Sequence, residues 1–115
     1  MIFAEAPRGH DAGTPVEVHR LRQVFCEFAR EWKEETSLAP SVREMVLHPA
    51  YQQIIGMGTP AIPLILDELR RQPDHWFWAL RMIARQDPVP DSARGDIEAM
   101  AEAWLGWGRD RGYVE

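Results

Sequence analysis

From Val16 to Thr36 the apolar residues Val18, Leu21, Val24, Phe25, Phe28 and Trp32 recur at steps of three and four, which places them on one stripe of an amphipathic helix. The other face carries Glu27, Arg30, Glu31, Lys33, Glu34 and Glu35, spaced for ion pairs in water. Ser41 followed by Glu44 forms a capping box, in which each side chain satisfies a free amide of the first turn, so a short helix follows. His48-Pro49 limits that helix, because the residue before proline is pushed out of helical geometry, and Pro49 then opens a helix over Ala50 to Met57. Gly56 and Gly58 supply its stop.

Thr59-Pro60 repeats the pattern of a hydroxyl cap before a first-turn proline and predicts a helix to Arg71, with Ile62, Ile65, Leu66 and Leu69 inward. Pro73-Asp74 breaks the chain, and Asp74 is expected to cap a helix running to about Gln86, before the rigid turn Asp87-Pro88-Val89-Pro90. Asp91 or Ser92 is expected to cap the last helix, whose inner face is Ile97, Met100, Ala101, Trp104 and Leu105, with Gly106 and Gly108 weakening its end. No alternating β-branched run bounded by hairpin turns interrupts this series. The fold class that follows is all-α, a compact bundle of five or six short helices over residues 16–115. Residues 1–15, with two prolines, two glycines and no sustained period, read as a flexible N-terminal arm.

A chain of 115 residues has the length of one domain. Its 45% hydrophobic and 27% charged residues can build one modest core and argue against wholesale disorder. The net charge of −5 repels polyanions, which lowers the weight of nucleic-acid binding. Twelve of the thirteen basic residues are arginine, the residue suited to planar pairing and aromatic stacking. A single cysteine, Cys26, excludes an intramolecular disulfide and suits a reducing compartment. The first residues lack a basic region followed by an apolar stretch, and no apolar run is long enough for a bilayer span. Together these features point to a cytoplasmic protein with no membrane association.

Residues 58–87 read Gly58-x-x-Ala61-Ile62-x-x-Ile65-x-x-x-Leu69, a turn, then Trp78-Ala79-Leu80-x-x-Ile83. This stretch resembles a HEAT-like helical repeat. The resemblance implies a hairpin in which small residues let two helices stack and the stacked faces hold a partner. The wording His-Pro-Ala-Tyr, Ile-Ile-Gly-Met-Gly and His-Trp-Phe-Trp-Ala-Leu is also similar to small uncharacterised bacterial proteins, which implies a bacterial or mobile-element origin and no particular reaction.

After Asp74, Trp76, Ala79, Leu80 and Ile83 share one helix face while Phe77, Trp78 and Met82 fall on neighbouring faces. A helix apolar nearly all round is either central in the core or half exposed at an interface, where Trp, Met and Arg are enriched. Phe77, Trp78, Arg81, Met82 and Arg85 are the candidate protein-binding residues, aromatics as anchors and arginines at the rim. The expected activity is that of a small protein-binding module, adaptor-like, antitoxin-like or inhibitor-like, acting on another protein or on a second copy of itself. Arg70, Arg71, Arg81, Arg85 and Arg94 offer a second reading, a nucleic-acid-associated regulator, unless Asp67, Glu68, Asp74, Asp87 and Asp91 neutralise them.

No catalytic constellation, cofactor motif or metal set stands out. His19 and Cys26 lie seven residues apart on the first helix, two potential ligands where zinc needs three or four. Glu27, Glu31 and Glu34, and Glu98 with Glu102, sit on faces open to water, where nothing separates their proton affinities. Gly56-Met57-Gly58 lacks the length and lysine of a phosphate-cradling loop. An enzyme would require His48, His75, Cys26 or a carboxylate to line a cleft.

Overall fold

The computed structural model describes residues 14–114. Among these residues six α-helices follow one another: α1 (Pro15–Glu35), α2 (Val42–Val46), α3 (Pro49–Gly56), α4 (Ala61–Arg71), α5 (Phe77–Ala84) and α6 (Ile97–Asp110), with a 3-10 turn at Asp91–Ala93 before the last. Among the described residues there is no strand, so the all-α bundle expected from the pattern is the fold observed. No helix of the described residues is long and apolar enough to cross a membrane.

Most of the N-terminal arm expected over residues 1–15 lies outside the described residues, but Thr14 and Pro15 belong to α1. The Thr14 hydroxyl accepts from the Glu17 amide at 3.1 Å and the Glu17 carboxylate accepts from the Thr14 amide at 3.3 Å, a capping box that moves the helix start upstream. The Ser41 cap of α2 and the Pro49 start of α3 stand where the sequence places them, and His48 adds a cap of its own, its Nδ1 accepting from the Ala50 amide at 3.0 Å. Gly58, at φ +75°, takes the left-handed conformation that ends α3.

Three expected caps are corrected. Thr59 does not cap α4: the chain enters through a tight turn in which Ala61 N–H donates to Gly58 C=O and Ile62 N–H to Thr59 C=O, both at 2.9 Å, and the hydroxyl is not used. Asp74 does not cap α5, since its carboxylate accepts from the adjacent His75 amide at 2.7 Å. That helix also stops at Ala84 rather than Gln86, because Arg85 adopts a left-handed conformation at φ 61°, uncommon for a residue with a side chain. Asp91 and Ser92 close the 3-10 turn instead of capping α6. Gly95 at φ +87° then redirects the chain, and the Asp96 carboxylate takes the cap by accepting from the Ala99 amide at 3.1 Å.

Helix α4 is the centre. It packs against α1, α5 and α6, and Ala61, Ile62, Leu64, Ile65, Leu66 and Leu69 are buried along it. An aromatic cluster joins three other helices: Trp76 lies 5.6 Å from Phe25, 4.6 Å from Trp32 and 5.9 Å from Tyr51, measured between ring centroids. Trp32 extends the tie to α2 by donating its indole N–H to Met45 C=O at 2.8 Å. Lys33 reaches α4 through Glu68 at 3.1 Å.

Helix α6 continues through Gly106 and Gly108 to Asp110. They differ in kind. A Cβ at Gly106 would meet nothing within 4 Å, whereas one at Gly108 would lie 2.6 Å from Leu66 Cδ1, in a side chain that is wholly buried. Gly106→Ala is therefore expected to stabilise the fold by about 0.5–1 kcal/mol through helix propensity. Gly108→Ala is expected to lose about 1 kcal/mol net, because overpacking outweighs the same gain. Thermal melts of the two variants should move in opposite directions.

Candidate functional site

Helix α5 divides its apolar residues between two faces. Trp76, Phe77, Ala79 and Leu80 are buried, Trp76 against rings of α1 and α3, and Ile83 is half-buried. Trp78, Arg81 and Met82, spaced at three and four residues from Trp78, share the opposite face, and Arg85 is exposed just past the end of the helix. Trp78 is 42% and Met82 49% exposed, and the Arg81 guanidinium lies over the Trp78 ring, 5.6 Å from its centroid. Of the five candidate binding residues the structure thus brings three onto one exposed face and leaves Arg85 exposed at the helix end. The fifth, Phe77, is buried and forms part of a cavity wall behind Trp78.

Helix α2 completes this surface. Val42, Arg43, Val46 and Leu47 enclose with Trp78 a mainly apolar groove of about 430 Å³, and Val42 and Leu47 are 46% and 58% exposed. Sequence reading placed α2 without seeing this role. The signal was present, because Val42, Met45, Val46 and Leu47 are too many apolar residues for one face of a five-residue helix.

On its other side Trp78 borders a cavity of about 340 Å³ between α5, α6 and the turn that joins them, with Phe77, Val89, Ile97, Met100 and Trp104 among its apolar walls. Its charged residues are Arg81, Asp87 and Arg94. Asp87 accepts from Arg94 at 2.9 Å and from the Val89 amide at 3.1 Å, and Arg81 stands 3.7 Å away. Burial pushes the Asp87 carboxyl up, but these hydrogen bonds and the two guanidinium charges outweigh it and hold the group below its ordinary value. A carboxyl depressed in the folded state adds stability above its unfolded pKa, and that contribution disappears as pH falls through the folded value. Asp87→Asn should therefore be less stable than wild type at neutral pH. The difference should shrink as pH falls below about 4, which denaturant melts at several pH values would follow.

Three of the basic candidates, Arg70, Arg71 and Arg94, are neutralised locally. Arg70 is hydrogen-bonded to Asp67, Arg71 lies 2.7 Å from Glu68 and 3.3 Å from Asp67, and Arg94 also approaches Asp91 at 3.6 Å. Arg43 and Arg85 are exposed and form no ion pair among the described residues. Unpaired basic charge among the described residues therefore lies on α2 and at the end of α5, as it also does at Arg20, Arg30 and Arg109.

Cys26 and His19 are exposed on α1, as are Glu27, Glu31 and Glu34; Glu98 and Glu102 border an open hollow of about 470 Å³ with Arg70. Glu31, Glu35 and His48 bring three ligand-type atoms within 4.8 Å of one another. Hydrogen bonding accounts for that trio. His48 Nδ1 accepts from Ala50 N–H, so the neutral ring carries its proton on Nε2, which donates to Glu35 at 2.7 Å. The nitrogen facing the carboxylates then has no lone pair for a metal. No family model, curated protein or solved structure matches the chain.

Proposed function

We propose that this chain is a small helical protein-binding module whose contact surface is the α2–α5 face, with Trp78 at its centre. The observation that carries the reading is the exposure of Val42, Leu47, Trp78 and Met82 on two adjoining elements of a chain whose other large aromatics are mostly packed inside. Exposed large apolar residues grouped beside arginines are the composition of a protein interface core, and Trp with Arg dominates binding hot spots. The resemblance of residues 58–87 to a HEAT-like hairpin points the same way, since such hairpins hold partners on their stacked faces.

The partner suited to this face is a segment of another protein that presents aliphatic or aromatic side chains flanked by acidic ones. Arg43 and Arg85, free of ion pairs among the described residues, would meet the acids, and Trp78 and Leu47 would bury the apolar groups. A two-fold homodimer through the same face would oppose like charges, which disfavours it.

The test is affinity capture from lysate of the source cells with wild type, Trp78→Ala and Arg85→Glu, with the solution mass of each measured by light scattering. Wild type is expected to retain a stoichiometric partner that both variants lose while keeping the wild-type circular dichroism spectrum. Capture unchanged in both folded variants would sink the reading, and a dimeric mass abolished by Trp78→Ala would transfer the surface to self-association.

A further inference from the structure

Helix α2 lines the docking groove, yet its five residues are too few to hold a helical conformation unaided. Ties to neighbouring elements fix it instead. The Trp32 indole N–H donates to Met45 C=O and the Gln52 side-chain amide donates to Val46 C=O, both at 2.8 Å. His48 closes the corner between α2 and α3, its amide donating to Met45 C=O at 3.3 Å and its carbonyl accepting from the Gln52 amide at 3.1 Å. Of the groups that set this corner, the His48 side chain is the one whose bonding depends on a proton.

The His48 side chain is 13% exposed and uses both ring nitrogens: Nδ1 accepts from the Ala50 amide at 3.0 Å and caps α3, while Nε2 donates to Glu35 at 2.7 Å. Only the neutral ring can do both, because the imidazolium carries a proton on each nitrogen and keeps no lone pair for Ala50. Glu35, with Glu31 beside it, accepts from the charged ring as it does from the neutral one, so protonation costs the cap and not the tie to α1. Among the other elements packed on α3, α2 carries Arg43 and Glu44 and α5 carries Arg81, none of them ion-paired with His48 among the described residues. Within α3 the titratable side chain is Tyr51, whose hydroxyl is committed to His75 and Ala79.

We propose that His48 is a pH-responsive latch on the docking groove: protonation of Nδ1 removes the side-chain cap of α3, loosens the α2–α3 corner and shifts Val46 and Leu47 relative to Trp78. Histidine is the side chain that changes charge between about pH 5 and 8, so the latch opens as pH falls through that window. Its consequence for a partner rests on the protein-binding reading, whereas the latch is a property of the chain alone. Loss of partner capture leaves the latch standing, and an α2 that ignores pH leaves the groove standing.

The test is an NMR titration of ¹⁵N-labelled protein from about pH 8 to about pH 5.5, following the His48 ring and the backbone amides of Val46, Leu47 and Ala50. Val46 and Leu47 are read in preference to Val42 and Trp78, because those two border a cavity with His75, a second imidazole. In wild type the Ala50 amide proton is expected to move upfield as its hydrogen bond is lost, with Val46 and Leu47 following the same curve as the His48 ring. In His48→Asn, whose carboxamide oxygen caps a helix without titrating, all three amides should hold still. The proposal is overturned if the His48 ring takes up no proton in this range, if it does so while Ala50 stays fixed, or if Ala50 moves without Val46 and Leu47. An unchanged pH response of these amides in His48→Asn would overturn it equally.

Discussion

Trp76→Ala is expected to cost about 3–5 kcal/mol, the range for removing a large aromatic from a packed core. A domain of this size has only about 5–15 kcal/mol of stability in total, so the variant should melt some 12–20 °C below wild type. The residue has no exposure, and its ring touches Phe25 and Trp32 of α1 and Tyr51 of α3, so its loss opens one hole shared by three helices. The effect falls toward the lower end of the range because the indole N–H is unpartnered, and its removal relieves that cost. Trp78→Ala, two positions along, should change stability by less than about 1 kcal/mol, since it removes an exposed ring. Thermal circular dichroism of the two variants checks the division. Similar losses would mean that α5 does not sit in the rotation described.

Tyr51→Phe removes one oxygen and is still expected to cost about 1–3 kcal/mol, because it leaves a buried amide and a half-buried carbonyl without this partner. The hydroxyl donates to His75 C=O at 3.0 Å and accepts from Ala79 N–H at 2.9 Å. Ala79 is in the first turn of α5, so the tyrosine of α3 does for that helix what its own N-cap residue, Trp76, does not. Burial raises the Tyr51 pKa above its ordinary value; the Ala79 hydrogen bond opposes this and Asp74 adds to it. With the folded value above the unfolded one, the unfolded chain loses its proton first, and wild-type stability falls as pH rises past about 10. Tyr51→Phe should lose part of that alkaline slope, so the two denaturation curves converge at high pH. Parallel curves would show that the hydroxyl titrates freely.

Much of the fold was legible because its signals are local. The stripe of α1, the Ser41 cap of α2, where only the Glu44 N–H to Ser41 half of the expected box forms, and the Pro49 start of α3 each depend on residues close in sequence. The misplaced caps share one cause. Thr59, Asp74, Asp91 and Ser92 are all able to cap, and which oxygen meets a helix amide depends on how the chain arrives there. Asp96 became the cap of α6 once Gly95 turned the backbone toward it. Gly106 and Gly108 looked alike for the same reason, since nothing near them in sequence reveals that Leu66 occupies the space beside one of them.

The candidate surface was half legible. The spacing of Trp78, Arg81 and Met82 sets one helical face whatever surrounds it, but whether that face or its opposite is buried depends on which neighbours arrive. On a helix apolar nearly all round, the pattern alone cannot choose. Tertiary packing chose Trp76, Ala79 and Leu80 for the core, turned Phe77 into a cavity wall, and set Val42 and Leu47 of α2 beside Trp78. The sequence by itself determined the all-α class, the order of the helices and most of their starts, because hydrogen bonds and apolar periodicity within a few residues decide these. Only the tertiary structure decided which aromatics stayed in water, which carboxylates neutralised which arginines and where a cavity remained, because each depends on residues that meet only after the helices have packed.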